Sequence, residues 1–151
     1  MSDTGSTLTI VATPRAELEL RRGRSSVTAL HAHLVFVTKY RRPVFTDSLL
    51  TDCQRLMTDI CADLGAQMRE FNGETDHVHL LVHHPPSMAI STLVNRLKGT
   101  SARRPRQQHP AHVRKYLWGN HFWSPSYFAA SCGGAPLSII KQYIEQQNRP
   151  G

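Results

Sequence analysis

"ETDHVHLLVHHPP", residues 74–86, sets His77 and His79 one residue apart in an otherwise apolar run. In a β-strand the side chains at i and i+2 leave the same face. Both imidazoles therefore point one way, and Val78, Leu80 and Val82 point the other. One side of this strand packs on a core; the other carries two potential metal ligands. Just upstream, Asn72-Gly73 is a dipeptide that tolerates positive φ in a hairpin turn. It predicts "AQMREF" (66–71) as the partner strand of a histidine strand over 77–83.

The flanking pattern extends this hairpin into a fold. "HAHLVFVTKY" (31–40) is β-rich and alternating, a first strand. A helix follows, capped by Thr46 or Asp47, with Leu50, Cys53, Met57, Ile60 and Leu64 at helical spacing and Gly65 as its stop. After Pro85-Pro86, Ser87 is the expected cap of a second helix whose inner face holds Ile90, Leu93, Val94 and Leu97. Residues 103–115 are basic, contain two prolines and read as a loop or a frayed helix end. "SYFAAS" (126–131) suits a fourth strand. Gly133-Gly134 breaks the chain, and Pro136 opens a last helix through "LSIIKQYIEQQN". The order β-α-β-β-α-β plus a terminal helix predicts an α+β, ferredoxin-like antiparallel sheet with two helices on one face. Its other face is open for the terminal helix to cover.

Bulk properties agree with one domain. The chain has 151 residues, 40% hydrophobic and 19% charged, a globular balance. Residues 1–26, rich in Ser, Thr and Arg, are expected to form a poorly ordered extension, and 27–151 the domain. No run approaches the roughly 18 apolar residues of a membrane span, and the N-terminus lacks a signal-peptide pattern. Cytoplasmic location and no membrane partner are the expectation. Three cysteines without CxxC spacing argue against a disulfide framework or zinc knuckle. The net charge is +7, and from His77 through Ile144 there is no Asp or Glu, while eight Lys and Arg fall there. Such a basic surface fits nucleic acid.

In the terminal helix, Tyr143 and Gln147 are four residues apart and share a face beside the apolar stripe Leu137, Ile140 and Ile144. A tyrosine at that position serves equally as an amphipathic core-edge residue. A phenol can also attack a phosphodiester if something offsets its pKa of about 10. A divalent ion stabilises the developing charge, and Gln147 offers it a neutral oxygen ligand. His31 and His33 repeat the His77/His79 spacing, as polar decoration or as groups that orient the true ligands.

With these residues in place, the chain resembles the single-domain HUH transposases with one catalytic tyrosine, the TnpA-type enzymes of small insertion sequences. The matching stretches are "HLVFVTKYRRPVF", "FNGETDHVHLLV", "LVNRLKGTSARR", "FWSPSYFAASCGGAPL" and "IIKQYIEQQ", from about His31 to Gln147. The resemblance implies that His77, His79 and Gln147 bind Mg²⁺ or Mn²⁺ and that Tyr143 is the nucleophile. It implies single-stranded DNA hairpins as substrate, a homodimer in which the tyrosine helix can serve the other subunit, and bacterial cytoplasmic action at the nucleoid. The implied reaction cleaves and rejoins single-stranded DNA at hairpin-marked ends through a 5′-phosphotyrosine. Lys98, Arg103 and Arg104 are candidates for contacts to the DNA backbone. Phe122, Trp123 and Tyr127 serve either as stacking platforms for unpaired bases or as core and loop packing. The alternatives are a non-catalytic single-strand-binding domain and a non-mobile chromosomal relative that processes palindromic repeats.

Overall fold

The computed structural model describes residues 8–10, 30–131 and 137–147, with the main chain alone at 8–10, 131 and 137–139. Its strands are β1 (Leu8–Ile10), β2 (Leu30–Val37), β3 (Gln67–Glu74), β4 (His77–His84) and β5 (Phe128–Ser131). Its helices are α1 (Asp47–Asp63), α2 (Ile90–Gln108), α3 (Pro110–Tyr116) and α4 (Leu137–Gln146). A single 3₁₀ turn, Lys39–Arg41, follows β2.

The sheet order is β1-β5-β2-β4-β3. β5, β2, β4 and β3 are antiparallel neighbours, the ferredoxin-like arrangement expected, and β1 adds a parallel edge strand beside β5. β1 lies within the stretch read as a poorly ordered extension; the rest of residues 1–26 lies outside the described residues. So does the reading of Gly133-Gly134 as a break in the chain.

The two faces of the sheet bury different residues. Ala32, Leu34 and Phe36 of β2 join Val78, Leu80 and Val82 of β4 in the main core, under Cys53, Met57 and Ile60 of α1 and Leu93, Val94 and Leu97 of α2. On the opposite face Val35 and Val37 pack with Phe128, Ala130, Ile140, Tyr143 and Ile144 beneath α4. β2 is thus covered on both sides, which is why it ends in a continuous apolar run. β4 keeps strict alternation because its second face is left for the cleft described below.

Several local expectations hold. The Thr46 hydroxyl accepts from Leu49 N at 3.1 Å, capping α1. Gly65, with φ 79°, takes the left-handed position after the helix. Others are corrected. The hairpin turn is Thr75-Asp76, since Glu74 pairs with His77, and β3 runs straight through Asn72-Gly73. Gly73 is needed for close approach: a Cβ there would sit 2.6 Å from Leu50 Cδ2. α2 starts after Ala89 without a side-chain cap, so Ser87 has no such role. It also continues through Arg103–Gln108 with Pro105 inside, and α3 carries on from Pro110. Pro105 removes only one helical hydrogen bond, and the turn before it is held by the buried Ser101, whose hydroxyl donates to Leu97 O and accepts from Trp123 Nε1.

Phe122 and Trp123 are 1% and 5% exposed. They close an aromatic cluster with Phe36 and Phe45, at ring-centroid distances of 4.9–5.8 Å. The expectation that they stack on bases is therefore replaced by the packing alternative: no base reaches a ring buried this deeply. Trp123→Ala is expected to lower folding stability by about 3–5 kcal/mol in a denaturant titration. Trp123→Phe should lose less and bind DNA as the wild type does.

Cys53 and Cys61 are buried in α1, and burial pushes their thiols up to about 12 and about 11. A folded-state pKa above the unfolded value contributes stability below the unfolded pKa of about 9, lost as pH rises through the folded values. Wild type should therefore lose stability above pH 9 more steeply than a Cys53→Ala, Cys61→Ala protein. Lys98, which burial lowers to about 8, acts in the opposite sense and is common to both proteins. Denaturation midpoints across this range check the difference.

Candidate active site on the open sheet face

The four residues singled out for chemistry fall on the open face but in two groups. His77 and His79 line a cleft of about 500 Å³ between the β3–β4 hairpin and α4. Arg41, Asn72, Glu74, Lys141 and Glu145 also contribute to it. Tyr143 and Gln147 project from the other flank of α4. On a helix, residues 141 and 145 lie to one side of the Ile140–Ile144 stripe and residues 143 and 147 to the other. Tyr143 is 3% exposed, within the small core and not at its edge. Its ring centroid is 5.8 Å from that of Phe128.

Each histidine has a partner. Asp76, in the tight turn, accepts from His77 Nδ1 at 2.8 Å and from Arg41 Nε at 2.8 Å. The turn itself is tied to β2 by Thr38, whose N–H and hydroxyl both donate to Asp76 O. Burial raises the Asp76 carboxyl, but the hydrogen bonds from His77 and Arg41, with their charges, outweigh it and hold it below the usual value. Asp76 thus fixes the His77 tautomer with Nδ1 protonated and Nε2 available. His79 Nε2 lies 3.3 Å from His33 Nδ1. Burial, and then the neighbouring His33, lower the His79 pKa, so this ring is neutral at pH 7, as a metal ligand must be. Of the repeated pair, His33 is the one that touches a candidate ligand; His31 packs edge-on against His83, centroids 3.8 Å apart. Among the described residues, no cluster of three His, Cys, Asp or Glu could hold a metal ion. Any metal ion held by His77 and His79 would therefore need further ligands of another type, from solvent or from substrate.

Tyr143 and Gln147 meet at two serines. Ser126 Oγ is 2.8 Å from the Tyr143 hydroxyl and donates to Gln147 Oε1 at 3.2 Å; Ser124 Oγ donates to the same oxygen at 2.7 Å. Burial pushes the Tyr143 phenol up to about 12, partly countered by the Ser126 hydrogen bond. Lys98 holds this loop in place, its ammonium donating to Ser124 O at 2.8 Å and Ser126 O at 3.3 Å, 5.9 Å from the Tyr127 ring centroid. Two of the three Lys98 donors are thus engaged inside the protein, so a backbone contact to DNA would have only the third left. Tyr127 is half-buried against the main core. Arg103 and Arg104 are exposed on α2, on the helical side of the sheet, where Arg104 borders a groove with Asp52, Asp59 and Asp63. They lie across the sheet from the histidine cleft.

Sequence reading missed Asp76, Arg41, Ser124 and Ser126. A carboxylate directly before the first histidine was a usable signal for Asp76; the serines sit in a loop, and nothing in their spacing marks their partners.

A basic ferredoxin-like domain, with paired histidines in a cleft and a tyrosine helix laid over the same sheet face, is as a class built for DNA processing. The chain belongs to the IS200-like transposase family, whose family model matches residues 26–147. It is 35% identical over 131 residues to the ISDra2 transposase TnpA of Deinococcus radiodurans, covering 87% of this chain and 93% of that protein. It is 29% identical over 115 residues to the transposase for insertion sequence element IS200 of Salmonella typhimurium, covering 76% of this chain and 74% of that one. A crystal structure of a candidate transposase from D. radiodurans superposes with TM-score 0.74 at 35% identity, over 83% of this chain and 95% of that one. A REP-associated tyrosine transposase bound to a REP hairpin shares the fold, with TM-score 0.52 at 9% identity over 81% and 66% of the two chains. Among the described residues no helix is long and apolar enough to cross a membrane.

Proposed function

We propose that this transposase cleaves and rejoins single-stranded DNA at hairpin-marked ends, with Tyr143 as nucleophile. The observation that carries the reading is the placement of α4: the sheet face that presents His77 and His79 is the face on which the Tyr143 helix docks. The phenol oxygen bonds to phosphorus, the P–O3′ bond breaks, and the products are a 5′-phosphotyrosine and a free 3′-hydroxyl. A later 3′-hydroxyl attacks the same phosphorus and returns the tyrosine. One phosphoester bond is exchanged for another at each step, so no nucleotide cofactor is consumed.

Two imidazoles would accept a borderline divalent ion such as Mn²⁺, and Mg²⁺ where oxygen donors from Gln147, solvent or DNA complete the shell. His77 keeps Nε2 available because its Nδ1–H donates to Asp76, and burial lowers the His79 pKa, which favours its neutral form. Gln147 is the candidate third protein ligand. Such an ion would stabilise negative charge on the scissile phosphate. The protein's own part is to hold both imidazoles on one strand face, supply Arg41 at the cleft wall, and store the phenol protonated against Ser126 until DNA arrives.

In the arrangement described, Tyr143 and Gln147 face the serines and Lys141 and Glu145 face the histidines. Catalysis therefore requires α4 to present its other flank, on its own subunit or on the partner in a homodimer. Asp76→Asn is expected to weaken Mn²⁺ binding about 10- to 100-fold without unfolding the protein, read by calorimetry.

The test incubates labelled single-stranded hairpins from the DNA flanking the coding sequence with the protein, with Mg²⁺ or with EDTA, on a denaturing gel. A metal-dependent protein–DNA adduct is the expected result. Bound but uncleaved DNA under all conditions would leave a non-catalytic single-strand-binding domain.

A further inference from the structure

Among the described residues, Tyr40 and Trp118 are the large hydrophobic side chains that stand exposed, at 41% and 67%. They border the same hollow of about 220 Å³, together with Lys39, Asn120 and His121. No carboxylate lines it. The Arg42 guanidinium lies 4.8 Å from the Trp118 ring centroid, and the Lys39 ammonium 5.2 Å from that of Tyr40. Tyr40 and Arg41 have φ of 57° and 58°, the left-handed region that non-glycine residues seldom occupy. Strain of this kind persists where the surroundings enforce it, and it clusters at ligand clamps. Here Lys39 N–H donates to Phe122 O and Arg41 N–H to Thr38 O, which pin the turn at both ends.

The same three-residue turn serves both hollows. Lys39 and Tyr40 face the aromatic one, and Arg41 lines the histidine cleft and holds Asp76. A ligand spanning the turn therefore enters both.

We propose that Trp118 and Tyr40 clamp one unpaired nucleobase of the DNA strand that crosses the Lys39–Arg41 turn into the histidine cleft. The inference deepens the single-strand reading above and rests on it. The chemistry points to a base: aromatic planes are sequence-tolerant stacking platforms, and Lys39 and Arg42 sit beside them for the flanking phosphates. The hollow is smaller than the roughly 300–1,000 Å³ of drug-sized sites and suits a single planar group. An acidic protein segment would meet the same cations but would not need two exposed rings.

The experiment uses the full chain and two probes of about 12 nucleotides, an oligothymidylate and an abasic strand of equal length. Binding is read by anisotropy and by Trp118 fluorescence, since Trp123 is buried. Wild type should prefer the base-bearing strand by about tenfold or more, with quenching. Trp118→Ala should lose that preference and Trp118→Phe should keep most of it, with both proteins of wild-type size by light scattering. An unchanged preference in Trp118→Ala overturns the proposal, as does the absence of any preference in wild type. A change of oligomeric state in Trp118→Ala with equal loss for both probes also overturns it and marks a protein interface. Adduct formation on hairpin DNA, run in parallel, reports separately on the transposition chemistry. A base preference that depends on Trp118 without a wild-type adduct leaves the clamp standing and removes the enzyme reading.

Discussion

Replacing Tyr143 with Phe is expected to abolish the covalent protein–DNA adduct and leave DNA binding intact. Loss of a nucleophile lowers turnover by on the order of 10⁴–10⁶-fold, below what a gel detects. The substitution is a clean one in this fold. The ring packs against Phe128 in the small core that also holds Ile140 and Ile144, and Phe keeps that packing. What is lost is the hydroxyl's hydrogen bond to Ser126, a contact worth about 1 kcal/mol. Ser126 retains Gln147 as a partner, so no buried group is orphaned. The thermal midpoint should accordingly move little. An adduct that persists in Tyr143→Phe would assign the nucleophile to another residue and sink the proposed mechanism.

The second large effect is expected from His77→Ala combined with His79→Ala. Both side chains leave the half-exposed face of β4, while Val78, Leu80 and Val82 keep the strand anchored in the core. The fold should survive, with near-wild-type circular dichroism. Mn²⁺ binding should vanish in calorimetry, since no group of three His, Cys, Asp or Glu among the described residues offers an alternative site. Metal stabilisation of a phosphoryl transition state is worth several kcal/mol, so cleavage should fall by about 10³-fold or more. Single variants should differ. His77→Ala releases Asp76, which keeps Arg41, whereas His79→Ala releases His33. Undiminished metal binding in the double variant would show that the pair is polar decoration.

Much of this architecture was legible in periodicity. The alternation of β4 separated its buried from its half-exposed residues, and the α1 and α4 stripes marked which sides of those helices are buried. Local rules misled where a tertiary contact overrode them. Asn72-Gly73 has turn chemistry, yet the close approach of Leu50 uses Gly73 inside a strand. Pro105 has breaker chemistry, yet the Ser101–Trp123 bond and the core beneath keep α2 going through it. Phe122 and Trp123 read equally as stacking platforms or as packing; their neighbours in space are Phe36 and Phe45, and those decide burial. Trp118, four residues away, received no role, because exposure is a property of the assembled surface.

The sequence by itself determined the ferredoxin-like order of elements, the facing of His77 and His79, and the pairing of Tyr143 with Gln147 on one helical face. These follow from the two- and 3.6-residue periods, which need no knowledge of neighbours. Only the tertiary structure decided which flank of α4 meets the histidines, that Lys98 holds a serine loop, and that Asp76 and Arg41 brace the cleft. Those outcomes depend on the rotation of one element about another. Side-chain packing sets that rotation, and a local pattern does not encode it.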